Sequence, residues 1–549
     1  MKTKYFSLIC IRRIAICFAV LCSVFALNSC KDYLTEIEPG TTLLEDFFTS
    51  TDAAVQNITG CYVPLMWEFN KTYLSEWFIG DIASDDAIKG GGSTTDMADA
   101  YDIENWRTTD QNTLLLDFYR AQYQGIGRCN LSLEYIGKTE VGIDKDFTPE
   151  MKNRLLGEAY FLRAYYYFRL LRVFAGVPMP LKVIRSSEDW GMPRASVDEV
   201  YKQILADLEL ANKYLWLKSA YAEADLGRAT KGAAQAMLMK VNLYMASPFW
   251  QKHGVTKSSA DCYTDAKAWG DSIITSGEYD LCPNYEDNFT IAGENGIESV
   301  FEIQYAEVAW GDYNEGFGYT AGSFTQVLVR SRNSEVGGGW GFNHPTKNLY
   351  NEFEPEDTIR RDVAILIPDT SIVPTYQEQS DEVYLGNNML NNKYGMYRDP
   401  KEVGGGYGKW SLHASRGPLN NRQIRYADVL LMYAEACLGS GDAGTAKNYI
   451  DQVRARVGLA AIPAATDAAL RHERRCELAM EGHRWFDLVR WEGVAGTGVK
   501  AHMDAYKTTE TEEAQHHMNE FIAGKHELFP IPQEERQLNP TQMEQNPGY

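Results

Sequence analysis

The stretch RHERRCELAMEGHRWFDLVRW, Arg471 to Trp491, gathers His, Glu, Asp and Cys into one short segment. These are the residue types of acid–base, nucleophilic and metal chemistry. Glu473, Glu477 and Glu481 recur at one-turn spacing, and Arg484 and Asp487 follow three residues apart. Ala479, Gly482, Phe486 and Val489 recur three and four residues apart, so the stretch reads as one helix with a buried face. The pattern suits an active site or a charged clasp between helices. Catalytic templates do not fit it. His472-Glu473 lacks the second His four residues on that a zinc-protease helix requires, and no nucleophile elbow, phosphate loop or dinucleotide fingerprint lies between a strand and a helix. With 75 Asp and Glu in the chain, neighbouring carboxylates arise by chance, and no glycosidase pair can be named. No catalytic residue, cofactor or metal site is expected. The segment reads as a salt-bridged clasp between terminal helices, with Gly482 tolerated inside the helix at about 1 kcal/mol.

Binding chemistry is better represented. The chain has 549 residues, 12 Trp and 33 Tyr, and its aromatic share of 12% exceeds what a helical core usually needs. Large amphipathic rings favour flat, partly polar ligands as well as interfaces. A net charge of -22 disfavours nucleic acid or an anionic membrane as the main partner. Two Gly-rich regions present aromatics. One is GDIASDDAIKGGGSTTD (80–96), too rich in Gly, Ser and Asp to be regular and bracketed by Trp67, Trp77 and Trp106. The other spans 281–421, where GENG, GYTAG, VGGGWGF and VGGGYGKW separate short β-prone runs such as Glu298 to Tyr305. Its aromatics, among them Trp310, Tyr313, Tyr319, Trp340, Tyr394 and Trp410, either form a ligand surface or pin long loops to the helices.

Helices must position these loops. Thr51-Asp52 caps a helix running toward Trp67, and Leu116, Tyr119, Tyr123, Ile126 and Leu133 mark another from Thr113 to Ile136. Spans 151–174, 196–217, 230–247 and 261–276 then alternate with breaks, as antiparallel pairs would. Small Ala159, Ala164, Ala233, Ala234 and Ala236 set against Tyr160, Tyr165, Tyr166, Tyr167 and Phe168 suit tetratricopeptide-like packing. From Arg422 the helices return on the stripe Ile424, Ala427, Leu431, Ala434 and Leu438, and Phe529-Pro530-Ile531-Pro532 opens a docked tail. The expected fold is mostly α, a helix-pair scaffold with a loop-rich insertion containing short strands.

The N-terminus reads as an export signal. Lys2, Lys4, Arg12 and Arg13 flank an apolar run from Ile14 to Leu27, too short for a comfortable membrane span. The run ends in Leu27-Asn28-Ser29-Cys30, which looks like a bacterial lipoprotein cleavage site with Cys30 acylated. The chain then divides into a signal peptide (1–29), a lipidated tether (30–45), an N-terminal helical region (46–280), the loop-rich insertion (281–421) and a C-terminal helical region with its tail (422–549). The mature cysteines form no CxxC pair. A Cys262–Cys282 disulfide is open to an exported chain, although buried free thiols are the plainer reading.

RAYYYFRLLRVFAGVPMP (163–180), GRATKGAAQAMLMKVNLYMA (227–246), IRYADVLLMYAEA (424–436), RRCELAMEGHRWFDLVRW (474–491), LFPIPQEE (528–535) and QNPGY (545–549) resemble, in order, the serial signatures of the SusD/RagB family. The resemblance spans essentially the whole mature chain. It implies a surface-exposed outer-membrane lipoprotein without catalytic residues that captures glycan or another nutrient. It also implies that the protein caps a TonB-dependent SusC-like transporter as its lid. Ligand loops vary among members, so no binding residue transfers by motif.

Candidate ligand residues therefore rest on sugar chemistry. A pyranose offers C–H patches that Trp or Tyr rings cover, while polar neighbours satisfy its hydroxyls. The platforms are Trp77, Trp106, Trp310, Tyr319 and Trp340, and the polar partners are Asp85, Asp86, Asn314 and Arg332. Trp340 ranks first because glycines flank it. The acidic balance mildly favours a neutral sugar. The alternatives are capture of a peptide or other nutrient, a protein-binding helical-repeat scaffold and, last, a glycoside hydrolase.

Overall fold

Side-chain caps set where the helices begin in the computed structural model, which describes residues 47–67, 76–187, 191–306, 322–333, 338–369, 388–395, 417–492, 499–509, 519–539 and 541–549. Ser50 accepts from the Ala53 amide and starts α1 (Thr51–Tyr62), one residue before the cap expected from sequence. The segment expected to be irregular holds α2 (Glu76–Ile82), β1 (Ala87–Gly90) and α3 (Ala98–Glu104). The long helices follow: α4 (Thr113–Lys138), α5 (Pro149–Phe174), α6 (Val197–Tyr214), α7 (Lys231–Ala246) and α8 (Ser259–Thr275). Asn112, Thr148, Ser196, Thr230 and Ser258 cap them, and Ser196 with Glu199 completes a capping box. These local signals explain why the periodicity-based spans fall within a few residues of the observed ones.

Residues 50–549 form one compact unit, in which each long helix packs on its neighbours in order. Helix α5 is the centre, packed by α4 and α6, with Tyr165, Tyr166, Tyr167 and Phe168 all buried. A Cβ added at Gly125 of α4 would lie 2.2 Å from the Tyr166 ring, so small-against-large packing reaches its limit there. The tail docks on the end of α5. The Phe529 backbone amide donates to the Val173 carbonyl at 2.9 Å, and the Asn546 side-chain amide donates to the carbonyls of Phe174 and Phe529.

The insertion supplies β2 (Ser299–Ile303), α9 (Thr325–Val329) and β3 (Phe342–Pro345), and β4 (Asn421–Arg425) leads into α10 (Tyr426–Gly439) and α11 (Ala443–Arg456). The antiparallel pair β2–β4 ties the insertion to the C-terminal helices, and the antiparallel pair β1–β3 joins the two Gly-rich regions.

Arg471–Trp491 is not one helix. It divides into α12 (Asp467–Glu477) and α13 (Arg484–Glu492), with Met480 at φ 62° and Gly482 at φ 78° between them. Gly482 is therefore a turn residue in a conformation that suits glycine, not a tolerated helical one. A Cβ at Gly80 would stand 2.0 Å from the Gly482 carbonyl oxygen, so α2 meets the turn backbone to backbone. Cys61, Cys129, Cys262, Cys282, Cys437 and Cys476 are free thiols, which removes the Cys262–Cys282 disulfide. Among the described residues, no helix is long and apolar enough to cross a membrane. Cys30 and the segment around it lie outside the described residues.

Candidate functional site

The acids of the Arg471–Trp491 stretch are buried and committed to basic partners. Glu473 and Glu477 are 0% exposed and Glu481 6%. Arg360 bonds Glu473 and lies 3.3 Å from Glu477, and Arg454 reaches Glu473 at 3.0 Å. Arg425 stands 3.0 Å from Glu477 and 2.8 Å from Glu481, and Lys393 meets Glu481 at 2.6 Å. Burial alone would raise the Glu477 carboxyl, but Arg456, Arg425 and Arg360 hold it at about 2. Glu477 therefore stays ionised, and all three acids are closed to substrate, as the clasp reading expects.

Asp85 and Asp86 belong to the same kind of layer, which corrects their assignment as sugar contacts. They are 1% and 2% exposed. Arg484 donates to Asp85 at 2.8 Å, Arg475 reaches it at 2.7 Å, and His502 meets it at 2.9 Å. Burial opposes ionisation of Asp85, yet Arg475 and Arg484 hold its carboxyl well below the usual range, while burial pushes the neighbouring Asp86 up. Trp106 is also a core residue, 5% exposed, with its ring edge-on to Phe521 at 5.3 Å. Trp77 lies in α2, but its ring is outside the described residues, as are Trp310, Asn314 and Tyr319. Tyr394 is buried at 1% exposure.

Trp340 and Arg332 are brought together by the backbone bonds from Gly339 to Ser331 and from Gly341 to Arg330, and the β1–β3 register adds the 90–96 turn to them. Gly90 pairs with Phe342, which sets the Gly90–Asp96 turn against Trp340 and Gly341. The Gly91 amide donates to the Gly341 carbonyl at 2.6 Å. Gly90 has φ 72°, and a Cβ there would sit 2.2 Å from the same oxygen, so only glycine fits. The Trp340 amide donates to Val327 at 2.7 Å, and its half-buried ring tilts over Phe324 at 6.4 Å. The Arg332 guanidinium reaches the Asp96 carboxylate at 3.4 Å and the Trp340 carbonyl at 3.2 Å. Ser93, Thr94 and Thr95 are exposed beside them. The surface thus holds a half-buried tryptophan whose backbone carbonyl carries a guanidinium, with a carboxylate on that guanidinium and exposed hydroxyls in the same turn, the kinds of group that cover and hydrogen-bond a polyol ring. Asp96 escaped the sequence reading, although it closes the Gly-rich run that drew attention to Asp85 and Asp86. Among the described residues, no group of three or more His, Cys, Asp or Glu is placed to hold a metal ion.

Two family models match the chain. The SusD family model covers residues 374–549, and a model described as starch-binding associating with outer membrane covers residues 32–243. A SusD-like protein of Formosa agariphila is 28% identical over 510 residues, spanning 87% of this chain and 91% of the relative. A SusD-like protein of Bacteroides ovatus is 26% identical over 470 residues, spanning 84% of this chain and 80% of its own length. The solved structure of a laminarin-binding SusD-like protein superposes with a TM-score of 0.73 at 26% identity, covering 91% of this chain and 99% of that one. Surface glycan-binding protein A of Bacteroides uniformis gives a TM-score of 0.73 at 26% identity over 90% and 99%. With its ordered motifs, its helix-pair fold and these matches, the chain belongs to the SusD/RagB family.

Proposed function

We propose that this protein is a cell-surface lipoprotein, anchored in the outer membrane through Cys30, that binds an oligo- or polysaccharide and delivers it to a SusC-like TonB-dependent transporter as its lid. The insertion 281–421 and the 80–96 segment build its ligand surface. The observation that carries the reading is the half-buried Trp340, whose carbonyl is bonded by Arg332, with Asp96 on the same guanidinium and the exposed hydroxyls of Ser93 to Thr95 in the Asp96 turn. An apolar face with hydrogen-bonding groups at its edge matches the two chemistries of a sugar ring. The names of the similar proteins support a glycan as the ligand, and the description of the N-terminal family model supports the location.

Laminarin is the first probe, with calorimetric titration of wild type and Trp340→Ala. Truncating a central aromatic contact costs about 2 kcal/mol, or roughly thirtyfold in affinity. Unchanged affinity in a Trp340→Ala protein of wild-type melting temperature removes Trp340 from the site. If no saccharide of a glycan array binds while the transporter co-purifies, a peptide or another nutrient replaces glycan as the ligand.

A further inference from the structure

We propose that Lys89 is the positioning residue of this ligand surface: its buried ammonium fixes the Gly90–Asp96 turn and, through Asp96 and Arg332, the backbone of Trp340. The inference rests on reading the Trp340 surface as the ligand site. Lys89 is 0% exposed, whereas the turn above it opens to solvent from Ser93 to Thr95. Burying a lysine is costly unless its head is paired, and a spacer between two rings would be apolar. The head here is directed instead.

The Nζ atom lies 5.7 Å from the centre of the Tyr101 ring and 5.4 Å from that of Phe342, so rings from α3 and β3 flank the ammonium. From that position it donates to the carbonyl oxygens of Ser93, at 2.8 Å, and Asp96. One charge thereby satisfies two acceptors three residues apart and closes the turn. The Lys89 amide donates to Glu104 at 2.7 Å, which ties the strand beneath the turn to α3.

The turn then passes its position on. The Asp96 carboxylate accepts from the Gly92 amide at 2.7 Å and pairs with Arg332 at 3.4 Å, and Arg332 holds the Trp340 carbonyl. The charged groups around Lys89 are Glu104 from α3, Asp96 from the turn and Arg332 from the segment after α9. Burial lowers its pKa to about 8 against the two carboxylates, with Arg332 adding to the lowering. The ammonium therefore still predominates at neutral pH.

Hydrogen–deuterium exchange on the full mature chain tests the assignment without requiring a known glycan. Lys89→Met is expected to speed exchange at residues 91–96 and 338–341 by at least about tenfold, with α4 and α5 unchanged. Lys89→Arg, which keeps charge and donors, is expected to restore most of the protection. Asp96→Ala, at a partly exposed position, is expected to loosen 338–341 as Lys89→Met does. It carries the test if Lys89→Met fails to fold. Wild-type exchange at 338–341 in a folded Lys89→Met or in Asp96→Ala overturns the proposal. Laminarin affinity of the same variants separates the two readings. If Trp340→Ala abolishes binding and a folded Lys89→Met binds as wild type, the positioning role falls. If Trp340→Ala has no effect, the assignment of the ligand surface falls instead.

Discussion

Asp85→Asn keeps the shape of a side chain and removes the charge on which Arg475, Arg484 and His502 converge at 2.7, 2.8 and 2.9 Å. Arg475 retains Asp86 at 2.8 Å, but Arg484 is left with Asp86 at 3.7 Å. Breaking a buried pair by neutralising one partner costs about 3–5 kcal/mol. The compact unit runs from Ser50 to Tyr549, which is 549 − 49 = 500 residues. At about 2.1 cal/mol/K of unfolding entropy per residue, each kcal/mol moves its melting temperature by roughly 1 °C. A fall of roughly 3–5 °C is therefore expected by calorimetry on the soluble mature chain. Arg484→Ala is expected to act in the same direction, because it removes the other half of the pair. Laminarin affinity per folded molecule should not change in either variant. A melting temperature at the wild-type value together with a loss of affinity of more than about tenfold refutes the reasoning and returns Asp85 to the ligand site.

Burial first, and then Asp86, lift the Asp81 carboxyl to about 8 from its ordinary 3.8. The folded protein thus keeps a proton that the unfolded chain releases, and stability falls as pH rises between 3.8 and about 8. Asp81→Asn is expected to flatten that slope and to raise the melting temperature at pH 7.5 more than at pH 5, with the Asn343 side-chain amide, which donates to Asp81 at 3.0 Å, turning over so that its unpartnered oxygen accepts from the new amide. An unchanged slope in thermal scans across that range would count against it. Gly80→Ala forces a Cβ to within 2.0 Å of the Gly482 carbonyl oxygen, so its loss of stability should exceed that of Gly482→Ala, where strain at φ 78° costs about 1–2 kcal/mol. Chemical denaturation of the two variants gives the order, and the reverse order is incompatible with the contact. Cys30→Ala is expected to abolish incorporation of labelled fatty acid, and unchanged labelling rules out the lipid anchor.

Helices α4 to α8 were legible because their signals are local. Thr148 before Pro149 and Ser196 before Glu199 specify a start wherever the rest of the chain lies. Glu473, Glu477 and Glu481 were legible as a clasp from their one-turn spacing, although only Glu473 and Glu477 lie on α12, and the turn that carries Glu481 and Gly482 was not visible from periodicity. Asp85 and Asp86 misled for a related reason. Their neighbours in sequence are Gly, Ser and Asp, the composition of an exposed loop, and the guanidiniums that allow their burial lie 389 to 399 residues away. No local window contains both halves of such a pair. The unpaired clue was the excess of arginine in RHERRCELAMEGHR, which requires acids from elsewhere. Trp340 and Arg332 were candidates on glycine and aromatic content alone. Lys89 and Asp96 were not, because their roles exist only once β1 has paired with β3.

The contact of the Asp81 carboxyl with the Gly482 amide spans 401 residues, and that of Asp85 with Arg484 spans 399. Closing a loop of that length costs roughly 5 kcal/mol before any contact repays it. Asp85 and Asp86 therefore lack their guanidinium partners until synthesis has reached Arg475 and then Arg484, and their acids stay hydrated in the growing chain. The layer on which β3 rests cannot form on the ribosome segment by segment. A nascent chain that has not reached Arg475 and Arg484 cannot complete its charged layer, so the closing of this layer waits for the C-terminal helices.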